Sequence, residues 1–399
     1  LKPIKIFSAS WHVPHHHALF GIPNTKWYLL INNVKRWNWF SRPLPDNVEF
    51  VPYYKKNTYS IAQLDVDQQC IDPRIGKGQL YRKLNEEVQD IPKIVINHGT
   101  PFWPENWEGG HPKRWKMPLG FDTDLKKVLE WQKKFLIEGG KVQVSGEEME
   151  VEGMEKLIGR NKMVVNSFEA RKQWGWGKVI WHGLDPNEWW DLPKEPRSVS
   201  MISTGGLDYY YGRDFLNSTM SRLREDFGLK HVWISHPGSW TIYESNVLAK
   251  SGGWDAYRDF LGRSMIFFNP TRESPMPRSR TEAMLSGCCI LTTAYQDASK
   301  FVNFDVREIW TQSEGIKEFT DVIDKYIDEP SINGFIIPEN PLAVASLINY
   351  LIYTRPDAAV RIGEEGRKTA IKIFDKKRFD DEWTGLLNNT IKKWKEKKC

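Results

Sequence analysis

Cysteine is scarce: there are four in 399 residues, Cys70, Cys288, Cys289 and Cys399. None stands in a CxxC spacing, and the adjacent Cys288-Cys289 falls in a run that reads as a buried strand. A disulfide framework and a structural zinc site are therefore not expected, and a reducing, cytoplasmic setting is. Long apolar runs are missing too. No stretch approaches the ~20 apolar residues that span a bilayer. The opening LKPIKIFSAS lacks the apolar core of a secretory leader, so none is expected. Charge of one sign is not in excess: 56 Lys and Arg against 51 Asp and Glu leave +5, too little on its own to mark a nucleic-acid binder. Internal repeats and low-complexity tracts are absent. Aromatic side chains are abundant, with 19 Trp, 14 Tyr and 19 Phe. That excludes a disordered chain and supplies flat rings with polar tips, useful against sugars, bases and membrane interfaces.

Short apolar runs alternate with amphipathic stretches, the pattern of an α/β protein. In the first half, 4–8 (IKIFS), 27–32 (WYLLIN), 61–66 (IAQLDV), 93–97 (KIVIN) and 162–166 (KMVVN) read as buried parallel strands, and 125–138 as a helix. The stretch 183–197 holds three prolines and little periodicity, and reads as a linker. A second series follows: strands at 199–203, 232–235, 265–269 and 288–293, helices at 213–227, 341–353 and 357–373, and a last helix over 378–395. The expectation is two Rossmann-like domains, 1–184 and 185–377, facing each other across a cleft, with 378–399 crossing back to the first. Ligands belong at the carboxyl ends of such strands.

The stretch 265–293, MIFFNPTRESPMPRSRTEAMLSGCCILTT, concentrates the chemistry. It reads as strand, polar loop, helix, strand, with the helix starting near Thr281-Glu282. A helix N-terminus offers free N–H groups and partial positive charge to a phosphate. Arg278 and Arg280 beside it add charge-assisted donors. A carboxylate in the first turn can accept from a ribose diol, as acidic residues do in dinucleotide sites. For Glu282 alone, complementarity to the helix dipole would suffice, at ~0.3–1 kcal/mol. Glu273, two arginines and Glu282 in one Pro-rich segment favour a site.

This segment resembles the donor motif of retaining GT-B glycosyltransferases of family 4, or group 1, type. It has two glutamates, Glu273 and Glu282, then Ala283-Met284, Gly287 and an apolar strand, with one residue more between the glutamates than the family's seven. Other parts are similar in order: 164–167 (VVNS), 178–189 (KVIWHGLDPNEW), 203–213 (STGGLDYYYGR) with the turn Gly205-Gly206 and the basic Arg213, 94–100 (IVINHGT), 333–341 and 363–374. The first 90 residues match only in layout: Trp11 and the run from His12 to His17 stand where a Gly-Gly loop is usual.

The resemblance implies transfer of a sugar from a nucleoside diphosphate sugar to an acceptor hydroxyl, with retention and without a metal. The donor is a co-substrate, and no cofactor is implied. Glu273 would set the sugar's pose, with backbone N–H groups of Ser274 and Met276 beside it. Glu282 would hold the ribose. Arg213, Arg278 and the helix start near Thr281 would stabilise the leaving diphosphate. His98 would touch the donor sugar. The acceptor would be a carbohydrate or a lipid-linked one, with at most peripheral membrane contact through the basic tail 392–398.

Other features carry less. Asp65-Val66-Asp67 has the Asp-x-Asp spacing of metal-dependent GT-A transferases, and on a strand both carboxylates would share a face. The two-half pattern belongs to the other architecture, so 65–81 is expected to be a structural or acceptor-side loop. His15, His16 and His17 are consecutive and converge poorly on a metal; a loop over the donor or acceptor is expected. The Trp-rich parts 37–39, 103–115 and 174–176 suit core packing or sugar stacking. Two rival functions fit the composition: a non-catalytic sugar- or nucleotide-binding protein, and a transferase acting on modified nucleic-acid bases.

Overall fold

The computed structural model describes residues 2–9, 12–31, 43–73, 76–101, 125–144, 147–159, 162–196, 199–202, 210–228, 232–235 and 253–398. Gly205, Gly206 and the Trp-rich stretches 37–39 and 103–115 lie outside them. The chain divides into two units, Leu1–Gly183 with Lys376–Cys399, and Leu184–Asp375.

The first unit runs β1 (Ile4–Ala9), α1 (Val13–Phe20), β2 (Thr25–Leu30), β3 (Val48–Val51), β4 (Ile61–Val66), α2 (Gly76–Glu87) and β5 (Lys93–Asn97). It continues with α3 (Leu125–Glu138), the antiparallel hairpin β6 (Gly139–Val144) and β7 (Glu147–Glu152), α4 (Met154–Ile158), β8 (Met163–Val165), α5 (Phe168–Trp174) and β9 (Lys178–Val179). Its main sheet has the order β3-β2-β1-β4-β5-β8-β9, with every pairing parallel. Successive side chains on a strand point to opposite faces, which sorts the apolar residues into two layers. Ile6, Trp27, Ile61, Ile94 and Ile96 pack with Val13 and Leu19 of α1. Phe7, Tyr28, Ala62 and Val95 pack on the other side with Tyr81 of α2 and Phe135 of α3. Both faces are covered, so these strands read as continuous apolar runs.

The second unit runs β10 (Val199–Ile202), α6 (Arg213–Glu225), β11 (Val232–Ser235), α7 (Gly253–Arg263), β12 (Ile266–Asn269), α8 (Arg278–Leu285) and β13 (Cys289–Thr292). After these come β14 (Phe304–Asp305), α9 (Arg307–Gln312), α10 (Ile316–Tyr326), β15 (Phe335–Ile336), α11 (Pro341–Tyr353) and α12 (Pro356–Ile373). The parallel sheet has the order β11-β10-β12-β13-β15-β14. Phe215, Phe268, Leu291, Phe319 and Leu347 belong to one buried core. Asn340 caps α11, its side chain accepting from the N–H groups of Leu342 and Ala343, both at 3.0 Å. Pro341 follows at the helix start, where no N–H is needed. Asn340→Ala should lower stability by about 1 kcal/mol, read as a smaller urea midpoint at unchanged m-value.

The last helix, α13 (Lys376–Glu396), groups with the first unit. Phe379, Trp383 and Leu387 form a stripe at four-residue spacing, buried with Ile6 and Trp27. The basic end, Lys392 through Lys398, is exposed at its lysines.

In both sheets the chain reverses its direction of growth. The first strand has a later strand on either side, β2 and β4 beside β1, and β11 and β12 beside β10. Such switch points leave a crevice at the carboxyl ends of the two central strands.

Candidate functional site

In the second unit the crevice lies where β10 and β12 end. The loop 270–277 leaves β12 and enters α8. The N–H groups of Arg272 and Glu273 both donate to the Tyr210 carbonyl, at 3.2 and 3.1 Å, which ties this loop to the approach to α6. Gly212 precedes α6 at φ +69°, and a Cβ there would stand 2.1 Å from the Pro270 carbonyl oxygen. Only glycine permits both the dihedral and the approach. Arg213 then opens α6 with a half-buried side chain. Arg272 is buried and bridges Asp214 of α6, at 2.7 Å, and Glu339, at 2.5 Å. Glu273 and Ser274 are half-buried, whereas Met276 is buried.

The helix begins at Arg278, not near Thr281. Pro277 is its cap residue, at φ −60°, and no side chain caps it. Glu282 therefore stands in the second turn, beyond the reach of the N-terminal dipole. Two side chains hold it instead. Arg278 Nε donates to Oε1 at 2.8 Å, one helical turn away, and Tyr257 Oη donates to Oε2 at 2.7 Å. Burial, reinforced by Glu282, pushes the Tyr257 phenol well above its ordinary value and keeps it a neutral donor. Arg278 Nη1, Thr281 Oγ1 and Asn269 Oδ1 are buried without a hydrogen-bond partner among the described residues. An unsatisfied buried group of this kind is costly unless a ligand or water meets it.

Arg280 is not the second anion donor that the sequence suggested. Its side chain is fully buried and turned into the fold. It donates to the Tyr295 carbonyl at 3.2 Å, the Gln296 carbonyl at 2.7 Å and Thr292 Oγ1 at 3.2 Å, and its Nη2 lies 3.5 Å from Met276 Sδ.

The crevice of the first unit holds a histidine cluster. His98 follows β5, with Nε2 3.2 Å from Asp65 Oδ1 and Nδ1 3.5 Å from Asn166 Nδ2. His12 stacks on it at 4.7 Å. Asp65 also accepts from Gln63 Nε2 at 2.8 Å and lies 3.5 Å from His16 Nδ1. Burial opposes ionisation of Asp65, but His16, His98 and Gln63 overcome it and hold its carboxyl well below the usual range. His15 is buried, and neither ring nitrogen has a hydrogen-bond partner among the described residues. Burial, with His98, His182, His16 and His12 nearby, holds its pKa well below 6.5.

Several expectations are corrected here. His15, His16 and His17 lie in α1, not in a loop, and Pro14 stands at its start. Asp65 and Asp67 do not share a strand face, because β4 ends at Val66. Asp67 caps a short turn, accepting from Gln69 N–H at 2.9 Å and pairing with Lys77. The described residues of 65–81 are thus the end of β4, a short turn over 68–71 and the start of α2 from Gly76, rather than one loop. Among the described residues, no group of three or more His, Cys, Asp or Glu could hold a metal ion. Trp174 is buried and donates from Nε1 to the Gly99 carbonyl at 2.9 Å, so its role is packing. Sequence reasoning missed Tyr257 and Arg272. Tyr257 stands 25 residues before Glu282 with no local pattern to link them.

No family model matches the sequence, and no curated protein does. Solved structures do match. HepE from Anabaena, in complex with UDP and glucose, has a TM-score of 0.55 at 12% identity, over 97% of this chain and 100% of its own. A glycosyltransferase from Rickettsia africae has a TM-score of 0.54 at 11% identity, over 98% and 100%. Sucrose-phosphate synthase from Thermosynechococcus elongatus has 0.52 at 11% identity, over 98% and 99%. At such identities the likeness is one of fold. The fold is GT-B, built from two Rossmann-like domains.

Proposed function

We propose that the protein is a glycosyltransferase of retaining, family 4 type that moves a sugar from a nucleoside diphosphate sugar to an acceptor hydroxyl without a metal. The observation that carries this reading is the Tyr257–Glu282–Arg278 constellation at the switch point of the second sheet. There Glu282 would take the ribose hydroxyls. The free Nη1 of Arg278, the first N–H groups of α8 and Arg213 at the start of α6 would stabilise charge on the departing diphosphate. Glu273, half-buried in the same loop with Ser274, would set the pose of the sugar, and Met276 N–H would add a donor. In the first unit, His98, whose Nε2 lies 3.2 Å from Asp65 Oδ1, would contact a sugar hydroxyl. The UDP-glucose complex of HepE supports a nucleotide-sugar donor; a carbohydrate acceptor belongs to the same proposal. The setting is cytoplasmic, with a lipid-linked acceptor as the alternative and peripheral membrane contact at the basic end of α13.

The test combines a thermal-shift panel of nucleoside diphosphates and their sugars with a transfer assay. A ligand at 100 times its dissociation constant adds about 2.7 kcal/mol to the folded state. The double variant Glu282→Gln, Arg213→Ala should fold and lose nucleotide-sugar turnover. Full turnover in that variant would sink the assignment.

A further inference from the structure

Glu282 is gripped from two elements. Arg278 of α8 takes Oε1 and Tyr257 of α7 takes Oε2. One donor would leave the carboxylate free to turn about its last torsion, whereas two donors on separate oxygens fix its plane. An ionised carboxylate has about four lone-pair directions, so two remain for a ligand. The ring of Tyr257 is itself wedged. Trp189 meets it edge-on at 6.1 Å, and Trp254 lies 6.2 Å from it and 5.1 Å from Trp189.

A vicinal diol offers two O–H donors to the two remaining directions; a single hydroxyl offers one. We propose that Tyr257 is a positioning residue that sets Glu282 to accept both hydroxyls of a ribose, so that the second unit selects ribonucleotides over 2′-deoxyribonucleotides. This inference rests on the reading of α8 as a nucleotide site. Arg278 alone leaves the carboxylate able to swing toward the helix start, where it would oppose a bound diphosphate.

The experiment is calorimetric titration of wild type and Tyr257→Phe with UDP, ADP, GDP and CDP and with their 2′-deoxy forms. Wild type should prefer the ribose form of whichever base it binds by about tenfold, one charge-assisted hydrogen bond's worth. Tyr257→Phe keeps the ring and its packing. It should lose most of that preference by weakening the ribonucleotide, with deoxynucleotide affinity unchanged. Full preference in the variant overturns the role of Tyr257. Nucleotide binding without ribose preference in wild type leaves the nucleotide site standing and also overturns that role. Binding of no nucleotide by wild type overturns the nucleotide reading itself. A Glu282→Gln background controls for loosening of α7: there Tyr257→Phe should bring no further loss of preference. A loss that adds in full means that the phenol acts through packing, and the proposal fails.

Discussion

Arg280→Met should lower the stability of the second unit by about 1–3 kcal/mol, because it leaves buried acceptors without donors. The guanidinium ties α8 to the chain leaving β13 at the carboxyl end of the sheet. It donates to the Tyr295 and Gln296 carbonyls in the loop after β13, and it stacks 4.8 Å above the Phe301 ring. Those carbonyls belong to a strained stretch. Gln296 and Asp297 both adopt left-handed backbone, at φ 54° and 62°, which side-chain-bearing residues enter at a cost of about 1 kcal/mol or more each. Gln296 in turn donates from Nε2 to the Arg272 carbonyl at 3.2 Å, and Thr293 Oγ1 donates to the Thr271 carbonyl at 2.5 Å. The loop that carries Glu273 is therefore held by the loop that Arg280 holds. Burial lowers the Arg280 pKa to about 9, against the pull of Asp297, so the group is charged at neutral pH. Methionine fills similar space but donates nothing. Chemical denaturation should show a reduced midpoint, and nucleotide affinity should fall with it. Arg280→Lys should recover only part of the loss, since an ammonium lacks the planar fork that spans two carbonyls. A Met variant within 1 kcal/mol of wild type by urea titration would show that water or rearrangement satisfies both carbonyls.

The sequence displays the scaffold well and the site unevenly, for physical reasons. Strands buried on both faces are apolar throughout, so β1, β4, β5, β12 and β13 stand out against polar surroundings. The loop between β12 and α8 announces itself through its glutamates and arginines. Its interior geometry does not. A Thr-Glu pair resembles a helix start, and Pro277, which holds the actual cap position, carries no capping side chain. Whether an arginine points to a ligand or into the fold depends on its place around the helix. Arg278 and Arg280 differ by two positions, which sends them to different sides. Tyr257 reaches Glu282 only because α7 packs beside α8, and no pattern within either segment encodes that. Pro14 was a usable signal for α1, since proline favours the first helical turn.

Acid should weaken the first unit well above the range where carboxylates titrate. His15 is buried and held neutral, with its pKa well below 6.5, while in the unfolded chain it titrates at its ordinary value. Below about pH 6.5 the unfolded state binds the extra proton, so stability drops as pH falls until the folded-state pKa is reached, at about 1.4 kcal/mol per pH unit for one such group. His15 alone should therefore make the first unit less stable at pH 5 than at pH 7.5. His16, also lowered by burial although Asp65 and Gln63 resist, adds in the same direction. Asp65 works in another window. Its depressed pKa contributes stability above about 3.8, which disappears only as pH falls through its lower folded value. The ring neighbours of His15 are His12, His16, His98, His182 and Phe379, so an apolar replacement removes a buried imidazole that has no hydrogen bond to lose. His15→Leu should therefore narrow the stability gap between pH 7.5 and pH 5 in urea titrations at the two values. An unchanged gap would mean that His15 takes up its proton as readily in the folded unit as in the unfolded chain.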